Sequence, residues 1–338
     1  MRIQTTAVLW LLTLLASSPL ALTLRAQQPT PINLVMPDGE GRLVVPTDPA
    51  FVPTVYRLED GGYRTTFIFV DHRNDITLEA SIYPNDDGTP EACRDMILPN
   101  LIKDLRSHTV ITHEVYSSRR IPSGSTLAIT SFLVSSGGLT AMNQQNVFAF
   151  AAGPHSCGEY HLTQSNYVPA SAALFDAEIE HMHFDGDYAP TSQDYTTLGG
   201  YFYDTTRDYR AAASYYRRAL DTLAASSDTR NARRSLTDQL SMSYAIYGDV
   251  KSSYDINEQA ITLDPTYPYY YYNLACVDAE LHNPLDARRH LEAAFARRTN
   301  VLPGEQLPDP IHDTSLQKIA YDKQFWKFVE SLSHTLPY

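Results

Sequence analysis

In the last third of the chain, one arrangement of small and large residues returns at a fixed step. Ala260 is followed 34 positions later by Ala294. Around the first lie Gly248-Asp249, Ile261 and an Asp264-Pro265 stop; around the second lie Asn283, Ala287, Leu291 and Phe295. A third segment, Asp208-Tyr209-Arg210-Ala211-Ala212 with Tyr216, Ala219 and Leu220, repeats the pattern 41 positions before Ala260. The seven extra residues of that first connection are expected in the polar stretch 226–233. A step of this size restricts the fold severely. Each unit is too small to bury its own apolar face, so neighbouring units must stack and share one core. A generic helical bundle with Ala-rich packing is the competing arrangement, but bundles do not require a fixed period. Pro265 ends a helix, because proline lacks the amide donor and clashes with the preceding turn.

The pattern resembles the tetratricopeptide (TPR) repeat family over residues 193–298. Ala212, Ala219, Ala260, Ala275, Ala287 and Ala294 match the small positions where paired helices cross in that family. Tyr203, Tyr216, Leu240, Tyr244, Leu274 and Leu291 match the bulky ones. The sequence departs from the pattern at Gly199 in place of Leu, Ser253 in place of a small Ala, and Asn257 in place of an aromatic. The resemblance implies an all-α TPR superhelix of about three repeats whose concave face holds a protein or peptide ligand. Carried over position by position, the partner-binding residues are Tyr201, Asp238, Met242, Tyr269 and Tyr272. Aromatic and Met side chains on such a wall suit an extended peptide or a partner helix. The aromatic run 269–272 after Pro268 fits equally well as core between adjacent helices. Asn273 matches an asparagine of chaperone-tail-binding TPRs, but no accompanying Lys and Arg set is evident to grip a terminal carboxylate. Residues 301–310 are Pro-rich and should leave the helical state. Asp313 or Thr314 then caps a last helix through Leu316, Ile319, Phe325, Phe328, Val329 and Leu332, and residues 299–338 cover the open end of the array.

The N-terminal half has another rhythm. Residues 27–50 are polar, Pro-rich and aperiodic, which predicts a flexible lead-in. Residues 51–184 predict an α+β domain, an antiparallel sheet with two packed helices. Residues 63–70 and 76–83 are β-rich runs around His72-Arg73-Asn74-Asp75, a hairpin signal. Thr89-Pro90-Glu91 opens a helix with an N-cap, a first-position proline and an early acid. Its apolar stripe runs through Cys93, Ile97, Leu98, Leu101, Ile102 and Leu105, and Pro99 within it predicts a kink. Strands follow near 110–116, 125–134, 146–152 and 158–163, then a helix over 170–180 and a linker over 185–192. This order, with Cys157-Gly158-Glu159-Tyr160-His161-Leu162 ahead of a helix ending in residues 182–184, resembles the PsbP-like α/β sandwiches. That resemblance implies a fold and no activity.

The first residues place the chain outside the cytoplasm. Arg2, the apolar run 7–15 and small residues up to Ala26 read as a secretory signal peptide over residues 1–26; a retained anchor is the alternative. The expected location is periplasmic or secreted, with no membrane span after cleavage. In an oxidising compartment Cys93 and Cys157, which share a domain, are expected to pair, while Cys276 stays free or buried. Three inert buried thiols would be the other outcome. The formal net charge of −13 repels phosphate backbones, so nucleic acid is not an expected partner.

Chemistry-bearing motifs are scarce. There is no Walker loop, GxSxG elbow, HExxH or CxxC, and no cofactor is expected. His181-Met182-His183 with Asp185 and Asp187 offers two imidazoles on one strand face, short of a full ligand set, so no metal is expected. Glu91, Asp95 and Asp104 read as the wet face of their helix. The expected role is therefore an exported, non-enzymatic protein-binding module. The alternative is a hydrolase or ligand-binding protein with its site in the α+β domain or the interdomain cleft, using His161 or His181.

Overall fold

Alternation with period two builds the first half of the molecule. A computed structural model describes residues 32–45, 51–58, 64–136, 142–224, 226 and 228–333. The expected export signal and the last five residues lie outside that set. Seven antiparallel strands pair in the order β3-β4-β5-β9-β8-β7-β6: β3 Phe51–Leu58, β4 Thr65–Asp71, β5 Ile76–Pro84, β6 Val110–Arg120, β7 Thr126–Ser136, β8 Met142–Ala152 and β9 Ser156–Ser165. Along β5, Ile76, Leu78, Ala80 and Ile82 are all buried and join Tyr160 and Leu162 of β9 in one apolar layer. The opposite face carries Phe132, Phe148 and Phe150, covered by helix α1 (Pro90–His108) through Cys93, Leu98 and Ile102.

Helix α1 begins as its sequence requires, with the Ala92 amide donating to Thr89 Oγ1 at 3.2 Å. It continues through Pro99, where the unpaired carbonyl falls on the exposed side of the helix. Cys93 and Cys157 are joined by a disulfide that ties α1 to β9, with Cα atoms 5.8 Å apart.

Two expected irregular stretches are ordered instead. Residues 32–45, expected as a flexible lead-in, contain β1 (Ile32–Val35) and β2 (Arg42–Val45), whose Leu34, Val35, Leu43 and Val45 are fully buried. With β10 (His183–Asp185) they form a small antiparallel sheet, and together with α2 (Ala172–Glu180) its residues join the apolar layer of the large sheet. The linker stretch 185–192 is likewise pinned down. Arg42 lies 3.9 Å over the Tyr188 ring, and the Tyr188 hydroxyl donates to Asp194 at 2.7 Å.

The second half is helical. Three antiparallel pairs follow: α3 Ser192–Gly200 with α4 Tyr209–Thr222, α5 Arg230–Tyr247 with α6 Val250–Leu263, and α7 Pro268–Glu280 with α8 Pro284–Ala296. The second helix of each pair starts on an Asx cap: Asp208 accepts from the Ala211 amide, Asp249 from Ser252 and Asn283 from Asp286. The seven extra residues divide between a longer loop before α5 and α5 itself, which has 18 residues against 13 in α7. Each departure from the repeat pattern has a local cause. A Cβ on Gly199 would lie 2.7 Å from the Tyr216 ring, so α3 and α4 meet too closely for a larger residue. Ser253 and Asn257 form a buried polar cluster with Ser241, and the Asn257 Nδ2 donates to Ser241 Oγ at 2.6 Å.

Sheet and helices share one apolar core. Phe67 of β4 meets Tyr201 and Phe202 edge-on, each with ring centroids 6.0 Å away, in the π turn Tyr201–Thr206 after α3. Tyr215 of α4 is hydrogen-bonded to Thr65, Tyr195 donates to the Met36 carbonyl at 3.2 Å, and Arg218 Nε to the Pro37 carbonyl at 2.7 Å. A separate core unites α7 and α8 with the C-terminal residues Leu307, Leu316, Ile319, Phe325 and Val329. The expected last helix is two helices, α9 Thr314–Gln317 and α10 Lys323–Ser333. Asp313 caps the first, and Asp322 caps the second through the Phe325 amide. No helix among the described residues is long and apolar enough to cross a membrane.

Candidate functional site

Pro-rich residues 301–313 do not continue α8 as an α-helix; the chain runs back along α7 as an irregular strap with one 3-10 turn at Pro310–His312. Tyrosine hydroxyls at the start of α7 hold it there. Tyr267 donates to Glu305 Oε2 at 2.9 Å, Tyr269 to the Gln306 carbonyl at 2.5 Å, and Tyr272 to Asp313 Oδ2 at 3.1 Å. Between this strap and α5 a cleft of about 680 Å³ remains. Met242, Ala245 and Ile246 of α5 form one wall, and Pro308, Asp309, His312 and Asp313 line the strap side. Tyr269, Tyr272, Asn273 and Cys276 of α7, with Ser241, Ser253, Thr314 and Ser315, complete the lining.

The aromatic run divides by helical geometry, since residues three apart share a face. Tyr269 and Tyr272 line the cleft. Tyr270 packs edge-on against Tyr267 with centroids 5.0 Å apart, and Tyr271 lies under Arg297. Of the five expected groove residues, Met242, Tyr269 and Tyr272 line one cleft. Asp238 sits beside it, accepting at 2.8 Å from Asn273 Nδ2, which does line it. Tyr201 does not join them, because it packs on Phe67 at the sheet. Sequence reasoning missed Ile246, although it lies one turn beyond Met242 and is 49% exposed. It also missed the strap, which carries no periodic pattern.

Electrostatics make the cleft acidic. Burial raises the Asp238 carboxyl to about 6; the Asn273 hydrogen bond opposes this and the Glu305 charge adds to it. Burial also pushes the Cys276 thiol well up, reinforced by Asp313, whose Oδ2 lies 3.7 Å from the sulfur. This cysteine is a protonated weak donor at neutral pH and not a nucleophilic thiolate.

The histidines of the hydrolase alternative do not converge. The His161 ring stacks on Phe148 at 3.8 Å on the α1 side of the sheet, and burial with the Arg64 charge pushes its pKa down to about 3. His181 and His183 are exposed near β10, whose Phe184 packs on Gly158 from the other side of the sheet. Among the described residues no group of three His, Cys, Asp or Glu is arranged to hold a metal. A second cavity, about 760 Å³ along α4, α5 and α6, contains Arg230 and Asp264. There Arg230 and Arg234 both grip Asp264, with Nη2–Oδ1 2.6 Å and Nε–Oδ2 2.7 Å as the short contacts. That fork ties α5 to the end of α6.

No protein-family model matches the chain, and no curated protein does. Among solved structures, the crystal structure of MamA protein is similar at 18% identity, covering 42% of this chain and 73% of that one, with a TM-score of 0.30. A likeness at that level carries no argument here.

Proposed function

We propose that this chain is an exported, non-enzymatic binding protein that holds a segment of a partner protein in the cleft between α5, α7 and the C-terminal strap. The three helical pairs are read as TPR-type repeats over residues 193–298, with residues 299–338 closing their open end, and the N-terminal α+β domain as a PsbP-like platform welded to the first pair. The observation that carries the proposal is the cleft itself. Met242 and Ile246 stand 40% and 49% exposed there, opposite Tyr269 and Tyr272, in a volume suited to a few side chains. Large apolar groups left open in a concave wall are the usual mark of a contact surface. Export is supported by the N-terminal pattern and by the Cys93–Cys157 disulfide, which suits an oxidising compartment.

The test compares the mature protein with a Met242→Ala/Ile246→Ala variant. Proteins captured from a cell-envelope extract are identified, purified and titrated against both by calorimetry. A 1:1 complex weakened about tenfold or more in the variant supports the proposal, since interface anchors cost ~2 kcal/mol or more when truncated. A partner bound equally well by both proteins would place the binding surface elsewhere.

A further inference from the structure

The cleft has a charge as well as a shape. Asp309 and Asp313 line it, Asp238 and Glu305 lie alongside, and no Lys or Arg is in its lining. None of these four carboxylates is ion-paired to a Lys or Arg among the described residues, whereas nearby Glu280 is already neutralised by Lys318. Their existing partners are neutral donors. Asp309 accepts from the Ile311 amide and the Ser333 hydroxyl, and Asp313 from two backbone amides, Tyr272 and the Cys276 thiol. With about four acceptor sites per carboxylate, Asp309 keeps room for a further donor, whereas Asp313 is filled. Burial is the main cause of the upward shift of Asp238, and the Glu305 charge adds to it.

We propose that the cleft selects a basic partner: an extended segment that seats an apolar side chain between Met242, Ile246 and Tyr272 and sets a neighbouring Lys or Arg against Asp309. This rests on the cleft being the protein-binding site. Partly desolvated cation–carboxylate contacts are stronger than exposed ones and select against anions, because like charges juxtaposed at an interface are repulsive.

The test uses three fluorescein-labelled peptides of about ten residues, long enough to cross such a groove in extended form. Each carries Leu at the same positions, with Lys, Gln or Glu between them. Fluorescence anisotropy with the mature protein should show the Lys peptide binding roughly tenfold tighter than the Gln peptide at about 20 mM salt. The Glu peptide should not bind, and raising salt to about 300 mM should narrow the gap to roughly threefold. Asp309→Asn should lower the Lys preference severalfold while leaving the Gln peptide unchanged. Met242→Ala should weaken both peptides equally. Equal affinity for the Lys and Gln peptides, with both lost in Met242→Ala, would overturn the preference for a basic partner and leave the cleft in place. Binding indifferent to Met242→Ala and Ile246→Ala alike would overturn the cleft as the site.

Discussion

Reducing the Cys93–Cys157 disulfide should loosen the sheet half of the molecule far more than its C-terminal end. The bridge spans 64 residues, and it frees a closed loop of that length in the unfolded chain. Loop-closure entropy for a ring of that size is worth about 4 kcal/mol. Both cysteines are fully buried, between α1 and the Phe148–Phe150 face. Separating the sulfurs in that packed layer adds to the loss. The first core runs from the sheet into α5, so the first helical pair should melt with it, whereas α7 to α10 are built around the second core. Trp326, the only tryptophan after residue 26, is packed on that second core and reports it selectively. Urea unfolding followed by far-UV circular dichroism and by tryptophan fluorescence, with and without reductant, separates the two. The dichroism transition should lose roughly 3–4 kcal/mol, and the Trp326 transition should lose less, since α7 to α10 pack around their own core. A dichroism change below about 1 kcal/mol would refute the loop-closure reasoning. Equal losses by both probes would show the two cores unfolding as one.

Three further expectations follow from single residues. Gly199→Ala should destabilise by roughly 1–3 kcal/mol in thermal or urea melts, because the added methyl meets the Tyr216 ring at 2.7 Å. Asp264→Ala strips the counter-ion from Arg230 and Arg234 and should cost about 3 kcal/mol. Those hydrogen bonds hold the Asp264 carboxyl far below its ordinary value although burial opposes them, so its contribution is present above about pH 4 and fades as pH falls below that. Glu159 has the opposite slope: burial, opposed by Arg64 and aided by Glu79, raises its pKa to about 7. Folding then favours its protonated form, so stability should fall as pH rises from about 4.5 to 7, and Glu159→Gln should flatten that slope between melting temperatures at pH 5 and pH 8.

The legible parts of this chain were those where spacing alone carries the information. The Ala260–Ala294 step and the Thr89-Pro90 start of α1 are local rules, and α1 begins where that rule places it; the Asx caps that start α4, α6 and α8 went unread. Strands β1 and β2 were illegible because each is four residues long between prolines and glycines, too short for alternation to show. Their burial comes from contact with a sheet whose strands are remote in sequence. Met242, Tyr269 and Tyr272 do line one cleft, since residues at helical spacing share a face. The strap was not legible, since an irregular Pro-rich segment has no period and its place depends on tyrosine hydroxyls at the start of α7. Tyr201 was misjudged for a related reason. The first helix of an array normally faces solvent, but here the face it presents meets Phe67 of the sheet.

Site-directed photo-cross-linking tests the account most directly. A benzophenone side chain at Ile246, on the cleft wall, is compared with one at Leu285, 79% exposed on α8 and outside the cleft. The account predicts one discrete protein adduct from Ile246, mapped to a Lys- or Arg-containing segment, and none from Leu285. Adducts of equal yield from both positions, or from Leu285 alone, would contradict it.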